Sequence, residues 1–250
     1  MPQAIFHFHS ELNEFLSNNN KWDDISVAFK GHETVKHLLE SLGVPHTEVD
    51  IILVNGISVD FAARLEDGYR VDVFPGSTQL ENTSIIHLQQ EPTGEPRFVA
   101  DGHLGKLVSY LRLLGFDVLY SNDCDDEMLA EISSNQDRIL LTRDRGLLMR
   151  NQVRYGYCVI AKAPQNQAVE VLQRFNITDK AHPFSRCARC NGSLIPVEKK
   201  EVFDRLEPKT QKYYDEFHIC QQCDQIYWKG SHFDRMESQL QNLIRLSRLS

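Results

Sequence analysis

Acidic residues in the middle of the chain stand where a parallel sheet would place functional groups. Asp101 and Asp144 each directly follow a predicted buried strand, and Asp125 and Asp126 begin a helical pattern after another strand. In open α/β sheets the functional crevice lies beyond the carboxyl ends of the strands. Carboxylates that converge there need a divalent cation. Mg²⁺ or Mn²⁺ suits such a site and can activate water and stabilise a phosphoryl transition state.

A second interpretation stays open for each of these acids. Aspartate is a favoured helix N-cap, so Asp101 or Asp125 could merely accept hydrogen bonds from backbone N–H groups. Helical geometry places Asp125 nearly on the buried face of its helix and Asp126 at the edge, whereas Glu127 points to solvent. We therefore favour Asp125 or Asp126 over Glu127. The residues that define this predicted buried face are Met128, Leu129 and Ile132.

Charge is unevenly distributed over the chain, whose net charge is −8. Residues 1–95 hold 15 acids against 5 bases, residues 96–185 hold 11 of each, and residues 186–250 hold 9 acids against 11 bases. The acidic first part argues against nucleic-acid binding by that module, but not by the other two. Four bases near the acidic positions could contact phosphates around an acidic centre. They are Lys106, Arg112, Arg143 and Arg145.

The cysteines give the most specific motif. Cys187 and Cys190 form one Cys-x2-Cys pair, Cys220 and Cys223 form another, and 29 residues separate the pairs. Two such pairs complete a tetrahedral zinc site with four cysteine ligands. A closed four-thiolate site has no open position for water, which predicts structural zinc. An iron–sulfur cluster uses the same ligands and remains a minority alternative. The long gap predicts an insertion over residues 198–216.

A basic and aromatic surface accompanies the cysteines. Aromatic side chains interleaved with bases can stack single-stranded bases and hold phosphates. The alternative is that Tyr227 and Trp228 pack the small core of the zinc module, which we favour for Trp228. The members of the surface are Arg186, Arg189, Lys199, Lys200, Tyr213, Tyr214, Tyr227, Trp228 and Lys229.

The first 78 residues show the pattern of a β-grasp, ubiquitin-like domain. Apolar alternation predicts strands at residues 4–9 and 69–74, a helix over residues 33–42, and a hairpin at Asn55-Gly56. The segments VKHLLESLGVP, ILVNG and GYRVDVFP resemble small sulfur-carrier proteins. Those carriers act through a free C-terminal Gly-Gly, which is absent here, so a docking or scaffold role is preferred.

Residues 97–182 alternate strand and helix, which predicts a mostly parallel sheet covered on both faces. Leu104, Leu107, Val108, Leu111 and Leu114 share one face of the first predicted helix. Prolines and a glycine in Glu91–Pro96 predict a linker, placed over residues 79–96. Residues 183–250 form the predicted zinc ribbon with a C-terminal amphipathic helix.

The middle of the chain resembles the Mut-seven C-terminal family of PIN-like ribonucleases. It contains the segments DGHLGKL, LRLLGFD, DDEML and RILLTRDR, and the resemblance covers about residues 96–235. It implies a PIN fold, a metal-dependent nuclease site with catalytic Asp101, Asp125 or Asp126, and Asp144, and an N-terminal ubiquitin-like domain. PIN nucleases commonly have a fourth acid soon after the third. Here that stretch offers only Arg145, Gly146 and Arg150.

The sequence thus predicts an α/β protein: a PIN-like parallel-sheet domain preceded by a β-grasp domain and followed by a four-cysteine zinc ribbon. We expect a ribonuclease with structural Zn²⁺ and with catalytic Mg²⁺ or Mn²⁺ at Asp101, Asp126 and Asp144. The alternative is a catalytically weak module that binds RNA or a ribonucleoprotein. A protein partner is expected for the ubiquitin-like domain. No apolar run approaches the roughly 18 residues of a spanning helix, and no secretory signal is visible, which favours the cytoplasm.

Overall fold

The chain is described here from a computed structural model, which covers residues 1–78, 84–89 and 94–249, without the side chains of residues 231 and 232. It forms two compact units. The first comprises residues 1–94 and 125–158, and the second comprises residues 95–124 and 159–250.

The N-terminal domain in the first unit is a five-stranded sheet crossed by one helix. The strand order is β2-β1-β5-β3-β4, with β1 parallel to β5 and the other pairs antiparallel. Alternate residues of β1 are buried, because successive side chains of a strand point to opposite faces. This is the predicted ubiquitin-like fold. Its elements are β1 (Gln3–Phe8), β2 (Ile25–Ala28), α1 (Val35–Ser41), β3 (Val49–Val54), β4 (Ile57–Val59) and β5 (Arg70–Pro75).

Local sequence explains two of its boundaries. The Thr34 side chain caps α1 by accepting from the His37 N–H, and Gly43 follows the helix with a φ of 91°. Asn55 and Gly56 join β3 to β4 with positive φ at both positions, 48° and 81°. Such a pair matches the twist of a two-residue hairpin, so the predicted turn is confirmed.

Part of the predicted linker is hydrogen-bonded to this domain. The Leu88 and Gln89 N–H groups donate to the main-chain and carboxylate oxygens of Asp50, and His87 Nδ1 lies 2.6 Å from Asp50 Oδ2. Asp50 is buried, and its partners come from residues 84–89. These residues are therefore a docked segment. Residues 79–83 and 90–93 of the linker, including Glu91 and Pro92, lie outside the described residues.

The middle of the chain alternates short strands with helices. In the second unit β6 is parallel to β7, and in the first unit β8 is parallel to β9. The predicted apolar face of α2 is buried as expected, from Leu104 to Leu114. The parallel α/β architecture is therefore confirmed. The elements are β6 (Arg97–Ala100), α2 (Gly105–Leu113), β7 (Asp117–Tyr120), α3 (Asp126–Asn135), β8 (Ile139–Thr142), α4 (Arg145–Leu148), β9 (Gly156–Cys158) and α5 (Pro164–Arg174).

The C-terminal part of the second unit is a three-stranded antiparallel sheet, in the order β10-β11-β12, with an insertion and a long final helix. The insertion forms two short helices around a core of Val202, Leu206, Phe217 and Ile226. Among the described helices, none combines the length and the hydropathy needed to span a bilayer. The elements are β10 (Leu194–Val197), α6 (Lys199–Val202), α7 (Pro208–Tyr213), β11 (Phe217–Cys220), β12 (Ile226–Trp228) and α8 (Ser231–Ser247).

Candidate functional site

The four predicted zinc ligands lie together. Their sulfur atoms all lie within 4.8 Å of one another, with Cys187 Sγ 3.7 Å from Cys223 Sγ and Cys190 Sγ 3.3 Å from Cys220 Sγ. A tetrahedron with Zn–S bonds of 2.3 Å has sulfur–sulfur distances of about 3.8 Å. The separations and the all-thiol donor set therefore fit a zinc ion bound by all four cysteines.

Tight backbone turns hold each pair of thiols. The Asn191 N–H donates to Cys187 O, and the Asp224 N–H donates to Cys220 O, so each turn closes one residue beyond its second cysteine. Gly192 lies against this cluster, where an added Cβ would lie 2.8 Å from Cys220 Sγ. The position therefore requires glycine if the thiols are to keep their spacing.

The thiols differ in their proton affinity. Burial opposes ionisation of Cys187, but hydrogen bonds from the Tyr227 hydroxyl and from the Cys190 and Arg189 N–H groups lower its pKa to about 7. Burial raises the pKa of Cys190 to about 12. Four crowded thiols cannot all ionise without a cation among them, so proton release and metal binding are coupled here.

Within the second unit, Arg112 of α2 joins the first cysteine pair to β7. Its Nε and Nη2 donate to Val118 O, and its Nη1 donates to Ala188 O and Arg189 O. The residue is 5% exposed, and burial lowers the pKa of its guanidinium. Because these donors are occupied by main-chain carbonyls, Arg112 is removed from the proposed RNA-binding residues.

Asn191 adds two hydrogen bonds to the same junction. Its Oδ1 accepts from the Val118 N–H, and its Nδ2 donates to Asp117 Oδ1 at 2.7 Å. Sequence spacing gave no sign of these contacts, since the partners are 73 and 74 residues apart.

Three of the four predicted catalytic acids are N-caps of helical segments, namely Asp101, Asp125 and Asp144. Asp144 Oδ1 accepts from the Gly146 and Leu147 N–H groups at the start of α4, and Asp125 Oδ1 accepts from the Met128 N–H at the start of α3. Asp101 Oδ1 accepts from the His103 N–H, at 3.1 Å. Asp126 is the first residue of α3 and is exposed, like Asp125 and Asp144.

The predicted buried face of α3 needs a correction. Leu129 is buried, but Met128 is 46% exposed, and Ala130 and Ser133 occupy buried positions. The face is therefore rotated toward small side chains, which carry little hydrophobic signal. Glu127 is exposed, as expected.

Asp125, Asp126 and Asp144 belong to the first unit, and Asp101 belongs to the second. In the described part of the chain, one group of three or more potential metal ligands has its ligand atoms within 4.8 Å, and it is the four cysteines. The carboxylate site for Mg²⁺ or Mn²⁺ stays a prediction.

The segment after Asp144 is held by the N-terminal domain within the first unit. Arg145 Nη1 donates to Phe15 O at 2.6 Å, Nη2 donates to Glu14 O at 3.1 Å, and the guanidinium lies 5.0 Å from the Phe15 ring centroid. The chain between α4 and β9 is held too, because His46 Nε2 lies 3.1 Å from Val153 O. Arg145 thus positions the segment, and we also remove it from the proposed RNA-binding residues.

Two further predicted bases remain available to a ligand. Arg143 and Lys106 are exposed. Within the residues that the structure describes, the Arg143 guanidinium has no hydrogen-bond or ion-pair partner. Lys106 lines a groove with Tyr110 and Met236.

The two aromatic residues beside the second cysteine knuckle, Tyr227 and Trp228, have different surroundings. The Tyr227 hydroxyl lies 3.1 Å from Cys187 Sγ, and burial raises the pKa of this tyrosine. Trp228 is 39% exposed, which corrects the expectation that its side chain packs the core of the module.

Family models match both parts of the chain. A model described as Mut7-C RNAse domain matches residues 96–240, and one described as Mut7-C ubiquitin matches residues 1–81. Neither a curated protein nor a solved structure matches the chain. The RNAse-domain match covers more than half of the 250 residues and contains the four cysteines of the predicted zinc site and all the predicted acids. The chain therefore belongs to the Mut7-C RNAse domain family.

Proposed function

We propose that the chain is a ribonuclease that hydrolyses RNA phosphodiester bonds with the help of Mg²⁺ or Mn²⁺. The observation that supports this most is the placement of Asp125, Asp126 and Asp144. They are exposed at the starts of two helices, inside the region that matches the RNAse-domain model. Asp101, which follows β6, completes the proposed set.

The donor set suits a hard cation. Asp125 and Asp144 each cap a helix through Oδ1, and in the described residues Oδ2 of neither has a hydrogen-bond partner. Asp126 and Asp144, both in the first unit, would contribute ligands to the ion, which when bound would activate a water and stabilise the phosphoryl transition state. The two caps fix the carboxylates on the backbone, so little reorganisation is needed on binding.

Arg143 and Lys106 are the bases that we propose to contact RNA phosphates. Arg143 directly precedes Asp144, so a phosphate bound by its guanidinium would lie near that carboxylate. A guanidinium can bind phosphate through two parallel N–H donors, which positions the backbone without reading sequence.

The second candidate is an RNA- or ribonucleoprotein-binding module that cleaves weakly or not at all. It is favoured by the stretch after Asp144, where Arg145, Gly146 and Arg150 occur but no acid does. Fewer carboxylates would hold a second cation less well. In this case RNA binding would remain without metal-dependent cleavage.

The domain organisation and the compartment are part of the proposal. We propose a ubiquitin-like domain over residues 1–78, a nuclease domain over residues 97–182 and a zinc ribbon over residues 183–250. The ubiquitin-like domain would take a protein partner. Four thiolates need a reducing compartment, and the described cysteines form no disulfide, which supports the cytoplasm.

Asp144→Asn tests the proposal. Asparagine caps helices about as well as aspartate, so the substitution removes charge while α4 keeps its cap. We expect the parent to cleave single-stranded RNA with Mn²⁺ or Mg²⁺, and Asp144→Asn to lose this cleavage while it binds RNA as well or more tightly.

Asp137→Asn is the matched control. Asp137 is exposed, belongs to the same unit and has a φ of 48°, which asparagine tolerates. This variant should cleave like the parent. A parent that binds RNA but shows no metal-dependent cleavage would instead support the binding module.

A further inference from the structure

A pocket of about 420 Å³ lies on the zinc module, beside the second cysteine knuckle. Its volume falls in the range of about 300–1,000 Å³ that is typical of ligand sites. Leu206 from the insertion and Ile226 from β12, which pack in the same small core, form apolar parts of its lining. Cys223 also lines it, so the zinc site and the pocket share a wall.

One wall of the pocket is the indole of Trp228. The residue ends β12, where its backbone pairs with Phe217, and its side chain remains 39% exposed. Gly230 lies close behind it, since an added Cβ there would be 3.0 Å from Trp228 Nε1. The ring therefore lies against the backbone at Gly230 while part of the residue is exposed, as a stacking platform requires.

Two guanidinium groups line the same pocket. Arg205 is positioned by a hydrogen bond from its Nη2 to Asp224 O. Arg189 is exposed, and in the described part of the chain its side chain has no hydrogen-bond partner. Two acidic residues, Glu207 and Asp224, also belong to the lining, together with the polar Thr210 and Gln225. The pocket therefore combines an aromatic face, cations, and acceptors for N–H groups.

We propose that this pocket binds one unstacked base of single-stranded RNA, with the base stacked on Trp228 and an adjoining phosphate on Arg189 or Arg205. The inference rests on the proposal that RNA is the substrate, and it deepens that proposal by adding a substrate-holding subsite on the zinc module. A base has a flat apolar face and N–H donors on its edge, which the carboxylates can accept. An acidic peptide would use the arginines but would leave the indole and the carboxylates unmatched.

Tryptophan fluorescence gives a direct test, because the chain has only two tryptophans, Trp22 and Trp228. In the full-length, zinc-loaded Trp22→Phe variant, Trp228 is the sole reporter. We would titrate it with ten-nucleotide oligouridine and oligoadenine without added Mg²⁺ or Mn²⁺. Stacking should quench the emission in a saturable way.

Binding of fluorescein-labelled oligomers, measured by anisotropy, extends the test to variants. Stacking on an aromatic side chain corresponds to a roughly 5- to 150-fold change in Kd, so Trp228→Ala should weaken binding by that factor. Trp228→Phe should retain most of the affinity. Phe203→Ala is the matched control, because Phe203 is an exposed aromatic of the same module and does not line the pocket. Zinc content verifies that each variant is folded.

The outcomes separate the two proposals. RNA binding without quenching, or equal affinity of Trp228→Ala and the parent, would overturn the pocket assignment even if the parent cleaves RNA. Trp228-dependent binding without cleavage in Mn²⁺ would support the pocket and overturn the nuclease proposal. Binding of polyglutamate with the same dependence on Trp228 would show that the pocket takes an acidic protein segment, and would also overturn the assignment.

Discussion

Arg145→Ala separates a structural role from an RNA-binding role for this residue. The substitution removes the hydrogen bonds to Phe15 O and Glu14 O and the contact with the Phe15 ring. Each hydrogen bond contributes about 0.5–1.5 kcal/mol net, and a cation–π contact at an exposed site contributes about 0.5–1 kcal/mol. Because Arg145 is an exposed residue, we expect a loss near the low end of the summed range, about 2 kcal/mol in the free energy of unfolding.

The assay is thermal unfolding together with RNA binding at several salt concentrations. A loss of about 2 kcal/mol lowers the Tm of a chain of this size by about 4–8 °C. The dependence of log Kd on log salt should stay as in the parent, because no phosphate contact is lost. Arg145→Lys should rescue little stability, since an ammonium cannot donate to both carbonyls in the geometry of the fork.

Arg143→Ala is the matched control, two positions away and exposed. It should change stability by less than about 0.5 kcal/mol and should reduce the salt slope by about one. The reasoning is refuted if Arg145→Ala unfolds like the parent and lowers the salt slope instead.

Four more outcomes are expected. The purified protein should contain about one equivalent of zinc per chain, and Cys220→Ser should lose it and unfold the C-terminal module, as elemental analysis and circular dichroism would show. Arg112→Met should cost about 2–4 kcal/mol in urea unfolding, because one buried and two part-buried carbonyls lose their donor. Burial, aided by the charge of Lys36, lowers the pKa of His46 from 6.5 in the folded state. The free energy of unfolding should therefore fall as the pH drops below about 6.5, because the unfolded state then binds the proton more readily. In urea titrations at about pH 7.5 and 5.5, His46→Gln should remove that fall. After proteolysis within residues 90–96, the two fragments should co-elute in gel filtration. The reason is that hydrogen bonds of His46 and Arg145 hold residues 145–153 on the N-terminal domain. Separate elution of the fragments would contradict this.

Local patterns predicted much of the fold. The apolar spacing of α2 identified its buried face, and Asn55-Gly56 identified a hairpin, because both depend on residues within one or two turns of the chain. The four-cysteine cluster was predictable for a similar reason, since each knuckle is a local turn and the pairing of two knuckles is forced by zinc chemistry.

Long-range polar contacts were not predictable. Arg112 and Arg145 are the residue type that commonly binds phosphate. In the structure, however, Nη1 of each donates a hydrogen bond to a carbonyl that lies 76 or 130 residues away in the chain. Nothing in the sequence near either arginine encodes those acceptors. The prediction that Met128 lies on the buried face of α3 failed for another reason. Ala130 and Ser133 occupy buried positions of that helix, and their small side chains contribute little to hydrophobic periodicity.

The division of the first unit into residues 1–94 and 125–158 sets an order of events during synthesis on the ribosome. Glu48 is 3% exposed, and its carboxylate accepts from the Cys158 N–H, which lies 110 residues later in the chain. At about 5–20 residues per second, Glu48 is synthesised about 5–20 s before that donor. During this interval the Glu48 carboxylate lacks the Cys158 N–H, and the carbonyls of Glu14 and Phe15 lack the Arg145 guanidinium. The surface that will receive the Asp144 segment is therefore complete before the segment exists, and it is open to chaperones or to other nascent chains until translation reaches β9.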